Sequence, residues 1–483
     1  MLKSLAMAMG RRRGKQTALF VPHQQLCSGG HPFYAALDRV LRTAGFDAFV
    51  EAQCARFYAA RMGRPSVAPG VYFRCLLVGY FEGLDSERGI AWRVADSLSL
   101  REFLGLALDT SPPDHSTLSR TRRLLDLETH RAVFTWILGV LARAGLVKGT
   151  TVGIDATTLE ANAALRSLVR RADGQSYEAF LTGLAQASGI ATPTRADLAR
   201  LDRRRPKKGS NAEWVNPHEP DAQITKMKDG QTHLAHKQEQ AVDLETGAVL
   251  AVTLAGGTAH DTQTLGPTLA AANTTLQVVR AQVDASTAAG VAAQVANAVA
   301  DKGYHSNAVL LALATAGVRS YIAEPERGRR CWAGKPAERD AVYRNRRRIR
   351  GAHGKALLRS RGELLERPFA HALETGGMRR THLRRHENIL KRLLIHLGGL
   401  NLGLLMRTRF GIGTPRGLQG RADRLAAFLP ALWRLWDAVV AAWVRFSRPR
   451  PTFDSFPPPR HGASAVATSG GAHFAVVVFT TGC

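Results

Sequence analysis

Cysteine is scarce in this chain and placed where it cannot form a framework. Five residues, Cys27, Cys54, Cys75, Cys331 and Cys483, are scattered through 483 positions with no Cys-x-x-Cys among them. An odd number at wide spacing indicates neither a disulfide scaffold nor a thiolate zinc site, and fits a reducing compartment. Acidic residues are also in deficit, 39 Asp and Glu against 66 Lys and Arg. Long hydrophobic runs are missing as well. The nearest approach, Leu425–Phe446, is broken by Arg434 and Asp437, and its Leu425, Leu429, Leu432, Trp436 and Val440 recur at helical spacing. That pattern reads as an amphipathic packing helix rather than a membrane span. The apolar part of Leu5–Met9 is too short for a secretory signal, and Arg11–Arg13 follow it instead of preceding it. The expectation is a cytoplasmic protein without membrane association.

What the chain does have is apolar content and positive charge. With 45% hydrophobic and 22% charged residues, it can bury a sizeable core divided among two or three domains. A net charge of +27 and a pI near 10.8 exceed what solubility requires and fit a polyanionic partner, nucleic acid first. A genome bias toward arginine could supply part of the excess but would not concentrate it. Residues 341–410 hold 17 Lys and Arg against four Asp and Glu.

Periodicity divides the chain. After an N-terminal extension over 1–45, residues 46–147 are helical in pattern, with apolar clusters at Val71–Phe81 and Glu102–Leu108 and turn residues at Gly83–Ser86 and Asp109–Ser116. Three arginines in Ser119–Arg123 are compatible with a DNA-reading helix-turn-helix, and equally with a plain helical bundle. From Thr150 the period becomes two: Val152 and Ile154 face one way, Gly153 and Asp155 the other, as on a half-buried strand. His233–Val242 and Val249–Leu254 read as an antiparallel hairpin about the turn Leu244–Gly247. Helices follow at His260–Ala271 and around Ala288–Ala296, then a short strand ending at Asp301, a helix from Asn307 to Ala316 and a strand at Ser320–Ala323. The expected architecture is α/β, a mixed sheet with flanking helices over 148–410, preceded by an all-α N-terminal domain. A polar excursion at about 162–223, carrying Arg203–Lys208, reads as an insertion, partly helical or mobile. Residues 411–446 read as a C-terminal helical segment and 447–483 as a disordered tail.

Three acids stand out by position. Asp155 ends one strand, Asp301 ends a later one ahead of Lys302 and Gly303, and Glu366 lies in a basic helical segment. Carboxylates at strand ends can converge across a sheet, and converging carboxylates repel unless a cation neutralises them. Hard divalent ions suit all-oxygen ligands, and Mg2+ keeps waters while taking one or two carboxylates plus substrate phosphate oxygens. Two such ions roughly 3.5–4 Å apart activate the attacking oxygen and stabilise the leaving one in phosphoryl displacement. Lys and Arg would then hold the phosphates while the acids hold the metal. Helix geometry favours Glu366 over Glu363: Leu365, Phe369 and Leu373 form an apolar stripe beside Glu366, and Glu363 falls near the opposite face. The competing reading pairs either Glu with Arg359, Arg361 or Arg367.

The blocks Gly63–Pro69 (GRPSVAP), Pro113–Arg122 (PDHSTLSRTR), Val152–Ala164 (VGIDATTLEANAA), Asp221–Asp243, Gly256–Leu265 (GGTAHDTQTL), Ala300–Ser306 (ADKGYHS) and Arg361–Arg392 form a specific series by order and spacing. Over about Phe46 to Arg409 the chain resembles the DDE transposases of bacterial insertion sequences. The resemblance implies a ribonuclease-H-like catalytic domain behind a helical DNA-binding one. It implies catalytic, metal-binding acids at Asp155 in the G-x-D-A-T strand, Asp301 in the A-D-x-G-Y turn and Glu366 in the E-R-x-F segment, with two Mg2+ ions for which Mn2+ can substitute. The related pattern Tyr-x-x-Arg-x-x-x-Glu-x6-Lys is not kept, since Arg359, Gly362 and Leu373 stand at its Tyr, Arg and Lys. Arg359, Arg361 and Arg367 offer bidentate phosphate contacts in their place. Lys226, Lys228, Arg379, Arg380, Arg384, Arg385, Lys391 and Arg392 are further expected DNA contacts. Asp261 is expected either to orient the ligands from behind or to cap a helix. The implied reaction is metal-dependent cleavage at the element's ends and strand transfer into target DNA. A nucleoid-associated homodimer on terminal inverted repeats and target DNA would carry it out. Two readings compete: a metal-dependent nuclease without strand transfer, and an inactive DNA-binding relic.

Overall fold

The computed structural model describes residues 30–59, 66–107, 109–205, 209–227, 230–326, 328 and 330–418. Lys228, positions 63–65 of the first motif, Leu425–Phe446 and the tail 447–483 lie outside the described residues. Among those described, seven helices come first: α1 (Pro32–Thr43), α2 (Phe46–Cys54), α3 (Pro69–Glu82), α4 (Glu87–Asp96), α5 (Leu98–Leu104), α6 (His115–Leu124) and α7 (Leu127–Arg143). Proline opens α1 and α3, where its missing N–H leaves no helical bond unmade. Ser86, Asp114 and Asp126 accept the amides of Gly89, Ser116 and Thr129 and so start α4, α6 and α7. Helix α3 is buried over nearly its whole length, so the charge of its fully buried Arg74 is neutralised internally. Asp38 of α1 stands 2.9 Å from the guanidinium and Asp47 of α2 3.0 Å from it.

The second half runs β1 (Thr151–Glu160), β2 (Val169–Arg170), α8 (Tyr177–Ala187), α9 (Arg195–Arg204), β3 (Trp214–Val215), β4 (Gln223–Lys226), β5 (Thr232–Asp243), β6 (Val249–Gly256), α10 (Asp261–Gln282), α11 (Ala285–Ala289), β7 (Asn297–Ala300), α12 (Asn307–Thr315), β8 (Arg319–Ile322), α13 (Pro336–Arg350), α14 (Ala352–Ala370) and α15 (His386–Phe410). The sheet order is β6-β5-β1-β7-β8, with β4 beside the start of β5. The first two joints are antiparallel and the last two parallel. This is the ribonuclease-H-like mixed sheet, with α10 covering one face and α14 the other.

Two local expectations change. Strand β1 continues five residues past Asp155, because Ala156–Glu160 pair with Ala235–Glu239 of β5. The helix expected around Ala288–Ala296 stops at Ala289: the amides of Ala292 and Ala296 bond the carbonyls of Lys148 and Thr150 instead, which hands the segment to the sheet. The described part of the polar excursion is partly helical, as expected, its Leu181, Ala185 and Leu198 joining α8 to α9 and its Trp214 packing with Leu168 and Ala222.

One buried cluster extends from Phe33 to Met406 through both halves. Helix α15 joins them, packing on α3, α7 and β6. Gly398 and Gly399 permit that approach, since a Cβ at either would crowd Ile137 or Tyr80, at 2.8 and 2.6 Å, and Asn401 bonds both backbone groups of Val249. His386–Gly417 has the length and hydropathy of a membrane span, but its apolar window is 89% buried inside the protein, as befits a core helix.

Gly153 marks where α14 meets β1. A Cβ there would lie 2.5 Å from Leu365 Cδ1 and 2.8 Å from Leu244 Cδ2. Gly153→Ala is expected to destabilise the protein by about 1–3 kcal/mol through overpacking, read as a lower urea midpoint at unchanged slope. An unmoved midpoint would show that α14 is not seated on this residue.

Candidate active site

Register decides which side chains meet. Gly153 pairs in parallel with Val299, so two residues further along, Asp155 within β1 comes beside Asp301 just past the carboxy end of β7. Asp155 shares the Gly153 face, beneath α14. One turn before Leu365, Arg361 reaches over the two acids, its Nη2 2.8 Å from Asp155 Oδ2 and 4.0 Å from Asp301 Oδ2. Burial raises the Asp155 carboxyl above its usual range; Asp301 and Asp261 push the same way, against Arg361 and the Ala156 amide.

The turn that carries Asp301 is anchored from the opposite face. Asp301 Oδ1 accepts the Gly303 amide at 2.9 Å, and Gly303 lies against the Asp261 carboxylate, where any Cβ would collide. Lys237 Nζ donates to Asp261 Oδ1 at 2.6 Å, and Tyr304 donates to Glu239 at 2.7 Å. Glu239 also accepts from Thr264 and Thr268 of α10. Its carboxyl is raised by burial while these three hydroxyl donors pull it down. Sequence reasoning misses Lys237, Glu239 and Tyr304. A signal existed in the alternation Ala235, Lys237, Glu239, Ala241, which puts two charges on the strand face away from Asp155. Asp261 is the first residue of α10, and the cap position belongs to His260, whose side chain caps nothing; the capping alternative is therefore replaced by the contacts with Lys237 and Gly303.

The remaining expected residues separate into three groups. Glu366 is exposed on α14, five positions past Arg361, which at about 100° per residue turns it well away from that side chain. Among the described residues no three Asp, Glu, His or Cys side chains converge as a metal group. Lys226, Arg359, Arg367, Arg379, Arg380, Arg384 and Arg385 are exposed; Arg385 adopts a left-handed φ of 69° and donates its amide to the buried Glu219 carboxylate. Lys391 and Arg392, expected on a DNA surface, are buried at 3% and 4% exposure. Lys391 reaches Glu387 and the Arg122 carbonyl, and Arg392 the Leu84 carbonyl. Both sit on the core helix α15, and their charges fasten it to the helical half.

The donor set suits a hard divalent ion at Asp155 and Asp301, being all oxygen with no His or Cys. Gln240, paired opposite Asp155 on β5, is fully buried, and among the described residues neither atom of its amide has a partner, so polar valences remain beside the carboxylates.

Two family models match the chain: Transposase domain (DUF772) over residues 22–124 and Transposase DDE domain over 202–402. The second contains Asp301 and Glu366, while Asp155 lies between the two matches. Neither a curated protein nor a solved structure matches. Enzymes with this DDE domain are of the transposase and nuclease type, bind DNA and generally use divalent metals. With a helical transposase domain leading into a DDE domain on a ribonuclease-H-like sheet, the chain belongs to the insertion-sequence DDE transposases and is a DNA transposase.

Proposed function

We propose that this transposase cuts the ends of an insertion sequence and transfers them to target DNA at a divalent-metal site built on Asp155, Asp301 and Glu366. The observation that carries the reading is the register that sets Asp155 beside Asp301 under one guanidinium. Glu366 is proposed as the third acid from the family resemblance alone. Two bound Mg2+ ions, or Mn2+, would activate the attacking oxygen and stabilise the leaving one.

The chain's own residues do the rest. Asp155 and Asp301 would hold the metal, and the contacts Lys237–Asp261 and Tyr304–Glu239 keep the Asp301 turn in place. Arg361 balances the charge of the two carboxylates and would hold phosphate oxygens once DNA enters. Lys226, Arg359, Arg367, Arg379, Arg380, Arg384 and Arg385 supply backbone contacts across the surface. The helices within 46–147 bind terminal inverted repeats, residues 148–410 act on them, and a homodimer in the cytoplasm brings two ends together at the target.

Duplexes carrying the inverted repeats should be cleaved in Mg2+ or Mn2+, and cleavage should stop in excess chelator. Persistent cleavage in chelator would overturn the metal site. Cleavage without joining of supplied 3′-hydroxyl ends would select the nuclease reading instead.

A further inference from the structure

A second basic site lies away from the two aspartates. Three guanidiniums, those of Arg319, Arg344 and Arg348, line a cleft of about 130 Å³ between the start of β8 and α13, floored by Ala314, Val318 and Ala341. At about 30 Å³ of liquid per water, that space holds roughly four waters or one phosphate group. No carboxylate lines the cleft, and among the described residues none pairs with any of the three arginines. Their neighbours differ: Arg346 and Arg330 share Glu324, and Arg339 pairs with Asp340. Arg348 is held in place, donating from Nε and Nη2 to the Ser320 carbonyl and hydroxyl at 2.9 Å each. Arg344, one helical turn away on the same face of α13, and Arg319 are exposed at the rim. Three like charges converging on a concavity repel, and what relieves them is an anion. Burial lowers the Arg348 guanidinium, with Arg319 and Arg344 adding to the effect against Tyr321.

Position separates this cleft from the catalytic end. Arg319 pairs with Asn297, at the opposite end of β7 from Asp301, roughly 13 Å along the strand at about 3.3 Å per residue. Duplex DNA presents one phosphate of a given strand about every 3.4 Å of axis, so one DNA molecule can span both places.

We propose that Arg319, Arg344 and Arg348 form a phosphate-binding cleft that grips a DNA backbone phosphodiester outside the two-aspartate site. The inference rests on the transposase reading and adds a further DNA grip to it. The apolar floor offers nothing to read a base edge, so the grip is independent of sequence.

The test uses the full chain with Arg319→Gln and Arg344→Gln, both exposed, leaving the structural Arg348 intact. A control variant, Arg347→Gln with Arg350→Gln, removes the same charge from exposed positions of α13 outside the cleft. Duplex affinity is measured in chelator across a salt series, and thermal midpoints are measured with and without inorganic phosphate. The cleft variant should bind DNA roughly tenfold more weakly, with the slope of log affinity against log salt shallower by about 0.9 for the single phosphate no longer neutralised. The control should change less. Equal effects in the two variants, or an unchanged slope in the cleft variant, overturn the proposal. Loss of a phosphate-induced rise in midpoint with an unchanged DNA slope would assign the cleft to free phosphate and overturn the DNA contact. A wild-type chain that binds no duplex would overturn the transposase reading itself, and this contact with it.

Discussion

Asp301→Asn is expected to abolish strand cleavage and strand transfer while leaving DNA binding intact. An amide keeps the shape of the side chain and its acceptor oxygen, so the bond from the Gly303 amide that shapes the turn survives. The negative charge does not. Metal ions contribute several kcal/mol of transition-state stabilisation, and each ~1.4 kcal/mol is tenfold in rate, so the loss should be roughly a thousandfold or more. Duplex affinity is dominated by Lys and Arg contacts to phosphate, and removing one acid near Arg361 should leave it unchanged or raise it. Rate and affinity are read on the same preparation, with circular dichroism as the check on folding. A folded Asn variant that cuts normally in Mg2+ would remove Asp301 from the ligand set. Asp301→Ala offers a contrast, because it also deletes the turn's acceptor and should cost about 1 kcal/mol of stability besides.

The largest effect on stability is expected at Arg74→Met. Methionine fills much of the volume but leaves the Asp38 and Asp47 carboxylates, 8% and 20% exposed, without their shared partner. Removing one member of a buried ion pair typically destabilises by about 3–5 kcal/mol. Asp38 keeps Arg42 at 2.7 Å, which places the expectation toward the lower end. Adding Asp38→Asn and Asp47→Asn should restore part of the loss, because the negative charge that Arg74 balanced goes with it. Urea midpoints of the single and triple variants decide it: equal destabilisation in both would mean that packing, including the stacking of Arg74 over Phe103 at 4.9 Å, outweighs charge.

How far the sequence foretells this arrangement depends on whether the cause is local. The β5–β6 hairpin is legible because alternation and a turn at Leu244–Gly247 occur within twenty-odd residues. Asp301 is legible as a strand-end acid and Asp155 as a strand acid, although β1 runs on past Asp155 to Glu160, and the parallel register aligns the two. Burial of Lys391 and Arg392 is not legible. Their charge predicts exposure, and only packing against Arg122 and Leu84, some three hundred positions earlier in the second case, reverses it. The packing of the excursion is hidden for a similar reason: Trp214 and Leu168 lie far apart in the chain and read as isolated apolar residues until β2 and β3 pair. Lys237 and Glu239 look like surface charges on a strand, and their role emerges only when α10 and the Asp301 turn close over them.

Helix α15 has a consequence for how such an enzyme can be altered. Because Gly398 and Gly399 seat α3 and α7 on the same helix that holds Val249 through Asn401, the helical half is not an attachable module. A hybrid that took residues 46–147 from one relative and the sheet from another would have to match both sides of α15 at once, and a fragment starting at 148 would leave that helix's apolar side bare to water. In hydrogen-exchange experiments the central amides of α3, α7, α15 and β6 should open together, as one unit.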